Sequence, residues 1–189
     1  LKHLVFIIST VIIAPVTLLY YLVNAAVPGN KTFSGFTQLL SLFPGRTGNY
    51  LRLGFYCFTL KHCDREVVIS FLAQFAQQDT ELYAGVYIGP QCNIGSCVIN
   101  KNTLLGSGVH VMSGKNQHSF DDLDMPIKDQ GGKYEKISMG ENCWIGNGAL
   151  VMASIGDHCI IAAGSVVIDD IPDYSIAAGN PAKILKSRK

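Results

Sequence analysis

The sequence predicts a mainly β fold, a parallel β-helix preceded by an N-terminal membrane-associated helical region. Three observations carry that reading. A branched aliphatic or Met recurs every sixth residue in four sets: Leu82, Ile88 and Ile94; Ile99, Leu105 and Val111; Met139, Ile145 and Val151; Ile155, Ile161 and Val167. Ile88, Ile94, Ile145 and Ile155 are each followed by Gly, so the register repeats as I-G-x-x-x-x and not as apolar spacing alone. Ahead of the repeats, residues 4–27 are almost wholly apolar and uncharged. A six-residue period matches neither an amphipathic helix nor the alternation of a single strand. It matches short strands joined by tight turns, each delivering one side chain to a shared interior.

Residues 1–30 form the first unit. As a straight helix, residues 4–27 would reach about 36 Å, enough for a hydrocarbon core of roughly 30 Å. Pro15 near the middle either kinks a spanning helix or divides it into a re-entrant hairpin. The run is long for a cleaved signal, and only Lys2 supplies a basic flank.

Residues 31–65 read as an amphipathic helical bridge or cap. A short apolar segment stops at Pro44-Gly45, and aromatic residues such as Tyr50, Phe55, Tyr56 and Phe58 then alternate with Arg46, Arg52, Lys61 and Arg65. Rings mixed with cations suit a lipid headgroup layer. Helices here would equally close the open end of a solenoid, which otherwise exposes its apolar interior.

Residues 66–189 form the repeat domain. Its spacing tightens to five residues from Ile94 to Ile99 and to four from Val151 to Ile155 and from Val167 to Ile171, which shortens a corner and keeps the inward set. One long polar interruption, 113–136, contains His118.

Composition excludes several classes. Lys and Arg number 15 against 14 Asp and Glu, so no global field attracts nucleic acid. The six Cys form no C-x-x-C pair, and Cys92, Cys97, Cys143 and Cys159 fall within or beside repeats, as buried fillers of a reducing compartment do. No metal site is expected. A β-helix carbonic anhydrase needs three metal-binding His, and His110 and His118 do not make that set.

Four stretches in order, Ser113 to Asp121 (SGKNQHSFD), Cys143-Trp144-Ile145-Gly146, Ile161-Ala162-Ala163-Gly164-Ser165-Val166-Val167, and Ala177-Ala178-Gly179-Asn180-Pro181-Ala182-Lys183, resemble the hexapeptide-repeat acyltransferases. The similarity is greatest to the sugar and polysaccharide O-acetyltransferases of the maltose, galactoside and colanic-acid type. It implies a left-handed parallel β-helix, a homotrimer, and acetyl-CoA as co-substrate in a groove between subunits. It makes His118 the general base. By position it places Trp144, Asn147, Ala163, Gly164 and Ser165 against acetyl-CoA or the acceptor, and Lys183 and Lys186 toward the CoA phosphates.

The residues support the base independently of the resemblance. A hydroxyl is a poor nucleophile until its proton is being removed, and an imidazole, titrating near pH 6.5, can take that proton and pass it to a leaving thiolate. Of the five His, only His118 lies in a polar loop beside Asp121, Asp122 and Asp124, any of which could hold its tautomer. His110, next to inward Val111, should face outward. Two departures from the family stand out: Ile168-Asp169 replaces a frequent Thr-Lys, and no acceptor-binding Asn and Asp align near 89–98, so a simple galactoside or maltose is not the expected acceptor. The reading is a membrane-associated acetyltransferase acting on a hydroxyl of a glycan or lipid-linked saccharide precursor by direct transfer. Its catalytic domain is expected in the cytoplasm, where acetyl-CoA is found, at a bacterial inner membrane. A soluble-type transferase for a small exogenous molecule or amino acid, and a non-catalytic scaffold, are the alternatives.

Overall fold

In the structure, a computed structural model describing residues 2–189, short strands wind into a parallel β-solenoid of about six turns. The first coil is β1 (His62–Cys63), β2 (Val68–Ile69) and β3 (Gln74–Phe75); the second is β4 (Glu81–Leu82), β5 (Tyr87–Ile88) and β6 (Asn93–Ile94). The third is β7 (Cys97–Ile99), β8 (Leu104–Leu105) and β9 (His110–Val111); the fourth, after the 113–136 loop, is β10 (Ile137–Met139), β11 (Trp144–Ile145) and β12 (Leu150–Val151). The fifth contributes β13 (Ile160–Ile161) and β14 (Val166–Val167). The sixth contributes β15 (Ser175–Gly179), against which β16 (Ala182–Ser187) folds back antiparallel.

Stacking makes three walls: β1-β4-β7-β10, then β2-β5-β8-β11-β13-β15-β16, then β3-β6-β9-β12-β14. Isolated bridges extend the first wall from Met139 to Ile155 and on to Ile171. The six-residue sets are the coils. Leu82, Ile99 and Met139 stack in the first wall; Ile88, Leu105, Ile145 and Ile161 in the second; Ile94, Val111, Val151 and Val167 in the third. All are buried, each contributing about 1.5–3 kcal/mol of hydrophobic stabilisation.

The I-G register has a steric cause. Turning one coil onto the next brings backbones together where each Gly stands: a Cβ on Gly146 would lie 2.4 Å from Ala163 N, and one on Gly89 would lie 2.7 Å from Gly106 C. Two residues ahead of each inward aliphatic runs a second, smaller inward column, which includes Cys92, Ala149 and Ser165 before the third wall and Thr103, Cys143 and Cys159 before the second. All six Cys are free. Burial pushes the thiols of Cys92 and Cys143 up to about 11 and that of Cys97 up to about 12, so they are inert fillers.

The solenoid starts earlier than the 66 boundary read from sequence, because Cys63, Ile69 and Phe75 already form a coil paired to the second. Below that coil lie α1 (Lys2–Ala26), α2 (Asn30–Ser41) and α3 (Gly45–Thr59). Pro15 sits inside one unbroken helix α1, not between two halves. One face of α1, Phe6, Ser9, Ile13, Thr17 and Tyr20, is buried. Gly54 lets α3 approach, since a Cβ there would stand 3.2 Å from Thr10 Cα. Most of α1 faces outward, with Leu4, Ile8, Val11, Ile12, Leu18 and Leu22 all at least half exposed.

Arg52 is not a headgroup cation. It is 0% exposed and donates from Nε to Ile69 O (3.0 Å) and from Nη1 to Leu40 O (3.2 Å) and Phe43 O (2.6 Å). It thereby satisfies carbonyls at the end of α2 and on the open edge of the first coil, and burial lowers its pKa below the ordinary guanidinium range. Asn49 Oδ1 accepts from Ile69 N (2.7 Å), and Thr37 Oγ1 donates to Phe75 O (3.0 Å). The helices therefore cap the solenoid through its unpaired strand edge.

Candidate active site

The 113–136 loop leaves the corner between the third and first walls as two opposed arms. Ser119 N donates to Gly131 O (3.0 Å), Lys133 N to Asn116 O (2.8 Å) and Glu135 N to Ser113 O (2.9 Å). Gly132 permits this approach, since a Cβ there would fall 1.9 Å from Gln117 O and 2.8 Å from His118 N. At the tip, the Gln130 side chain donates to Asp122 O (2.6 Å) and Met125 O (2.8 Å) and accepts from Asp122 N (3.1 Å).

Both ends of the loop are braced by pairs that sequence reading did not connect. Lys115 Nζ reaches Ile168 O and Asp169 Oδ1, each at 3.2 Å, so the Ile168-Asp169 departure holds the loop against the fifth coil. Lys136 Nζ lies 2.9 Å from Glu81 Oε1, which Lys61 Nζ also approaches at 2.9 Å. Hydrogen bonds from Lys61, then Lys136, hold the Glu81 carboxyl down at about 2. Between these braces lies a cavity of about 470 Å³ lined by Lys115, Lys136, Met152, Ser154, Asp169 and Asp170. No local sequence signal marks these pairs, because their partners are more than 50 residues apart.

His118 projects from this braced loop, exposed. No side-chain hydrogen bond fixes its ring among the described residues. Asp122 is engaged locally, its Oδ1 accepting from Asp124 N (2.9 Å). His110 does face outward, on the third wall.

The other expected site residues divide into groups. Asn147, Ala163 and Gly164 stack at the corner between the second and third walls, with Gly164 N donating to Asn147 O (2.8 Å). Asn147 and Ala163 are exposed, although Asn147 Oδ1 also accepts from Ser107 N (3.1 Å) and so helps to hold the coils. Ser165 departs from expectation: it belongs to the small inward column, is buried, and its Oγ accepts from Gly179 N (3.2 Å). Its hydroxyl is not presented on the flank. Its place two residues before Val167, matching Ala149 before Val151, was the signal for this. Trp144 stands outward on the second wall at 54% exposure, between Leu104 and Ile160.

Lys183 and Lys186 lie exposed on β16, at the edge of the second wall. Arg188 and Lys189 are exposed but fold back onto Tyr174. Arg188 N donates to Tyr174 O (2.7 Å) and its Nη1 to His158 O (2.7 Å), and Lys189 Nζ sits 3.7 Å from the centroid of the Tyr174 ring. Within one chain the third wall, with His110, Leu150 and Val166 outward, separates the loop from the Asn147–Ala163 corner. The expected site residues thus fall on opposite borders of that wall.

No protein-family model and no curated protein matches this sequence. Solved structures do match. A maltose O-acetyltransferase from Clostridium difficile 630 is 21% identical, with 81% of this chain and 82% of that one covered at a TM-score of 0.60. The chain shares the fold of the hexapeptide-repeat acyltransferases. A galactoside acetyltransferase in complex with coenzyme A is 17% identical over 86% of this chain and 82% of that one, at a TM-score of 0.59. An N-acyltransferase from Bacillus cereus, in complex with dTDP-4-amino-4,6-dideoxyglucose and coenzyme A, is 15% identical over 65% and 70%, at 0.54. The hexapeptide-repeat fold therefore carries both O- and N-acyl transfer among these neighbours.

Proposed function

We propose that the protein is a membrane-associated O-acetyltransferase that uses acetyl-CoA and a hydroxyl acceptor on a glycan or lipid-linked saccharide precursor. The observation that carries this reading is His118, an exposed imidazole on a loop braced by Lys115–Asp169 at one end and Lys136–Glu81 at the other. An accessible base on a loop held at both ends suits hydroxyl activation.

In the proposed reaction a ring nitrogen of His118 accepts the hydroxyl proton while the acceptor oxygen attacks the thioester carbonyl. The tetrahedral adduct then collapses with loss of the CoA thiolate, which receives the proton from the imidazolium, giving the acetyl ester and free CoA thiol. No covalent enzyme intermediate is formed, since adjacent Ser119 is poorly placed to share a proton with His118. Pantetheine, with its two amides, would lie along the Asn147–Ala163 corner, where Gly164 adds no side chain. Lys183 and Lys186 would meet the CoA phosphates, and Trp144 would wall the thioester or the acceptor.

Because the loop and the Asn147–Ala163 corner border opposite sides of the third wall, the reading assigns the complete site to neighbouring subunits of a homotrimer. It places α1, long and apolar enough to cross a bilayer and mostly uncovered, in the bacterial inner membrane, with the solenoid on the cytoplasmic side. The test is CoA-thiol release from acetyl-CoA by purified protein, with a lipid-linked saccharide or its delipidated glycan as acceptor. Acceptor-dependent release supports the reading, and an amine acceptor preferred over every hydroxyl acceptor would replace it with N-acyl transfer.

A further inference from the structure

A groove of about 1230 Å³ lies between the amino ends of α1 and α3 and the first two coils. Lys2, Arg46 and Arg65 line it against one carboxylate, Glu66. None of the three cations takes part in an ion pair among the described residues. The neighbouring cations are already engaged: Arg52 on three carbonyls and Lys61 on Glu81. The groove therefore gathers three cations that no carboxylate pairs among the described residues.

Two further features fit an anion with an apolar tail. The 15-residue helix α3 starts at Gly45 after Pro44 with no side-chain cap, and Gly45 and Arg46 border the groove, so its unsatisfied amino end adds to the positive field. Aromatic rings form part of the lining, with Tyr87 outward on β5 and the Arg65 guanidinium 5.4 Å from the centroid of the Phe6 ring. From the groove α1 runs on with its uncovered aliphatic face, Leu4, Ile8, Val11 and Ile12.

We infer that this groove binds the anionic phosphate headgroup of a membrane lipid, with Lys2, Arg46 and Arg65 on the phosphate oxygens and the lipid chains along the outer face of α1. The inference rests on the proposed placement of α1 in a bilayer and not on acetyl transfer. Phosphate on a bulk phospholipid and phosphate on a polyprenyl carrier share this chemistry, and the experiment separates them.

Full-length protein in neutral detergent is titrated by native mass spectrometry with phosphatidylglycerol, with phosphatidylcholine of the same chains, and with a polyprenyl phosphate. A phosphate-headed anionic lipid should bind at least about tenfold tighter than phosphatidylcholine, the scale of one or two charge-assisted hydrogen bonds. The preference should vanish in Arg46→Ala/Arg65→Ala and largely return in Arg46→Lys/Arg65→Lys, with all variants melting like the wild type. Preference for polyprenyl phosphate assigns the groove to a lipid-linked acceptor, and preference for phosphatidylglycerol assigns it to bulk lipid. Equal binding of phosphatidylglycerol, polyprenyl phosphate and phosphatidylcholine, or an undiminished preference in the folded double Ala variant, overturns the inference. Absence of CoA release would leave this binding result intact, so the two readings fail separately.

Discussion

Lys136 Nζ lies 2.9 Å from Glu81 Oε1, tying the last residue of the 113–136 loop to the second coil through an oxygen that Lys61 shares from the cap side. Three parts of the molecule therefore depend on one carboxylate being ionised.

This pairing gives a pH dependence of defined sign. The folded Glu81 carboxyl is held down at about 2 against an ordinary 4.5, so its stabilisation is complete above the ordinary value and is lost as pH falls toward about 2. Glu81→Gln should melt below wild type at neutral pH, and the gap should close between about pH 4.5 and 2. A gap independent of pH would show that the charge is not what holds the loop.

Arg52→Ala should be severe. It empties a fully buried site and leaves the carbonyls of Leu40, Phe43 and Ile69 without their donors, at about 3 kcal/mol or more. Chemical denaturation measures this. A loss below about 1 kcal/mol would mean that the cap does not depend on it.

Two glycines in neighbouring coils should differ. Gly146→Ala drives a Cβ into Ala163 backbone and should cost about 3 kcal/mol. Gly164→Ala has open space and bears only its φ of +69°, about 1 kcal/mol. Equal losses would contradict the close stacking of coils at that corner.

Gly132→Ala tests how His118 is positioned. The new Cβ must push back Gln117 O and the His118 amide, and a displacement near 1 Å should lower kcat about 10²-fold. The KM for acetyl-CoA should hold, because none of the residues proposed to meet CoA lies on this loop. A matched rise in KM with kcat intact would remove Gly132 from any positioning role.

The inward set was readable because Leu82, Ile88, Ile94 and their successors obey a local period that the coil geometry imposes, and I-G marks where backbones touch. Asn147 and Ser165 were harder. Motif position put both on the cofactor flank, yet Asn147 also caps Ser107 N and Ser165 turns inward to Gly179. Arg52 and Arg46 stand in the same aromatic and basic stretch but have opposite fates, because α3 carries one onto the strand edge and leaves the other in the groove. The Lys115–Asp169 and Lys136–Glu81 braces join residues whose proximity exists only after the coils stack. Sequence period thus specifies the solenoid, while the charged contacts that brace its loop and cap are products of the fold.

The proposed mechanism stands on His118. The decisive measurement is acceptor-dependent CoA-thiol release by His118→Ala beside wild type, at equal acetyl-CoA binding and equal melting temperature. The account predicts a loss of about 10²–10⁴-fold in kcat. Near wild-type turnover by His118→Ala would contradict it.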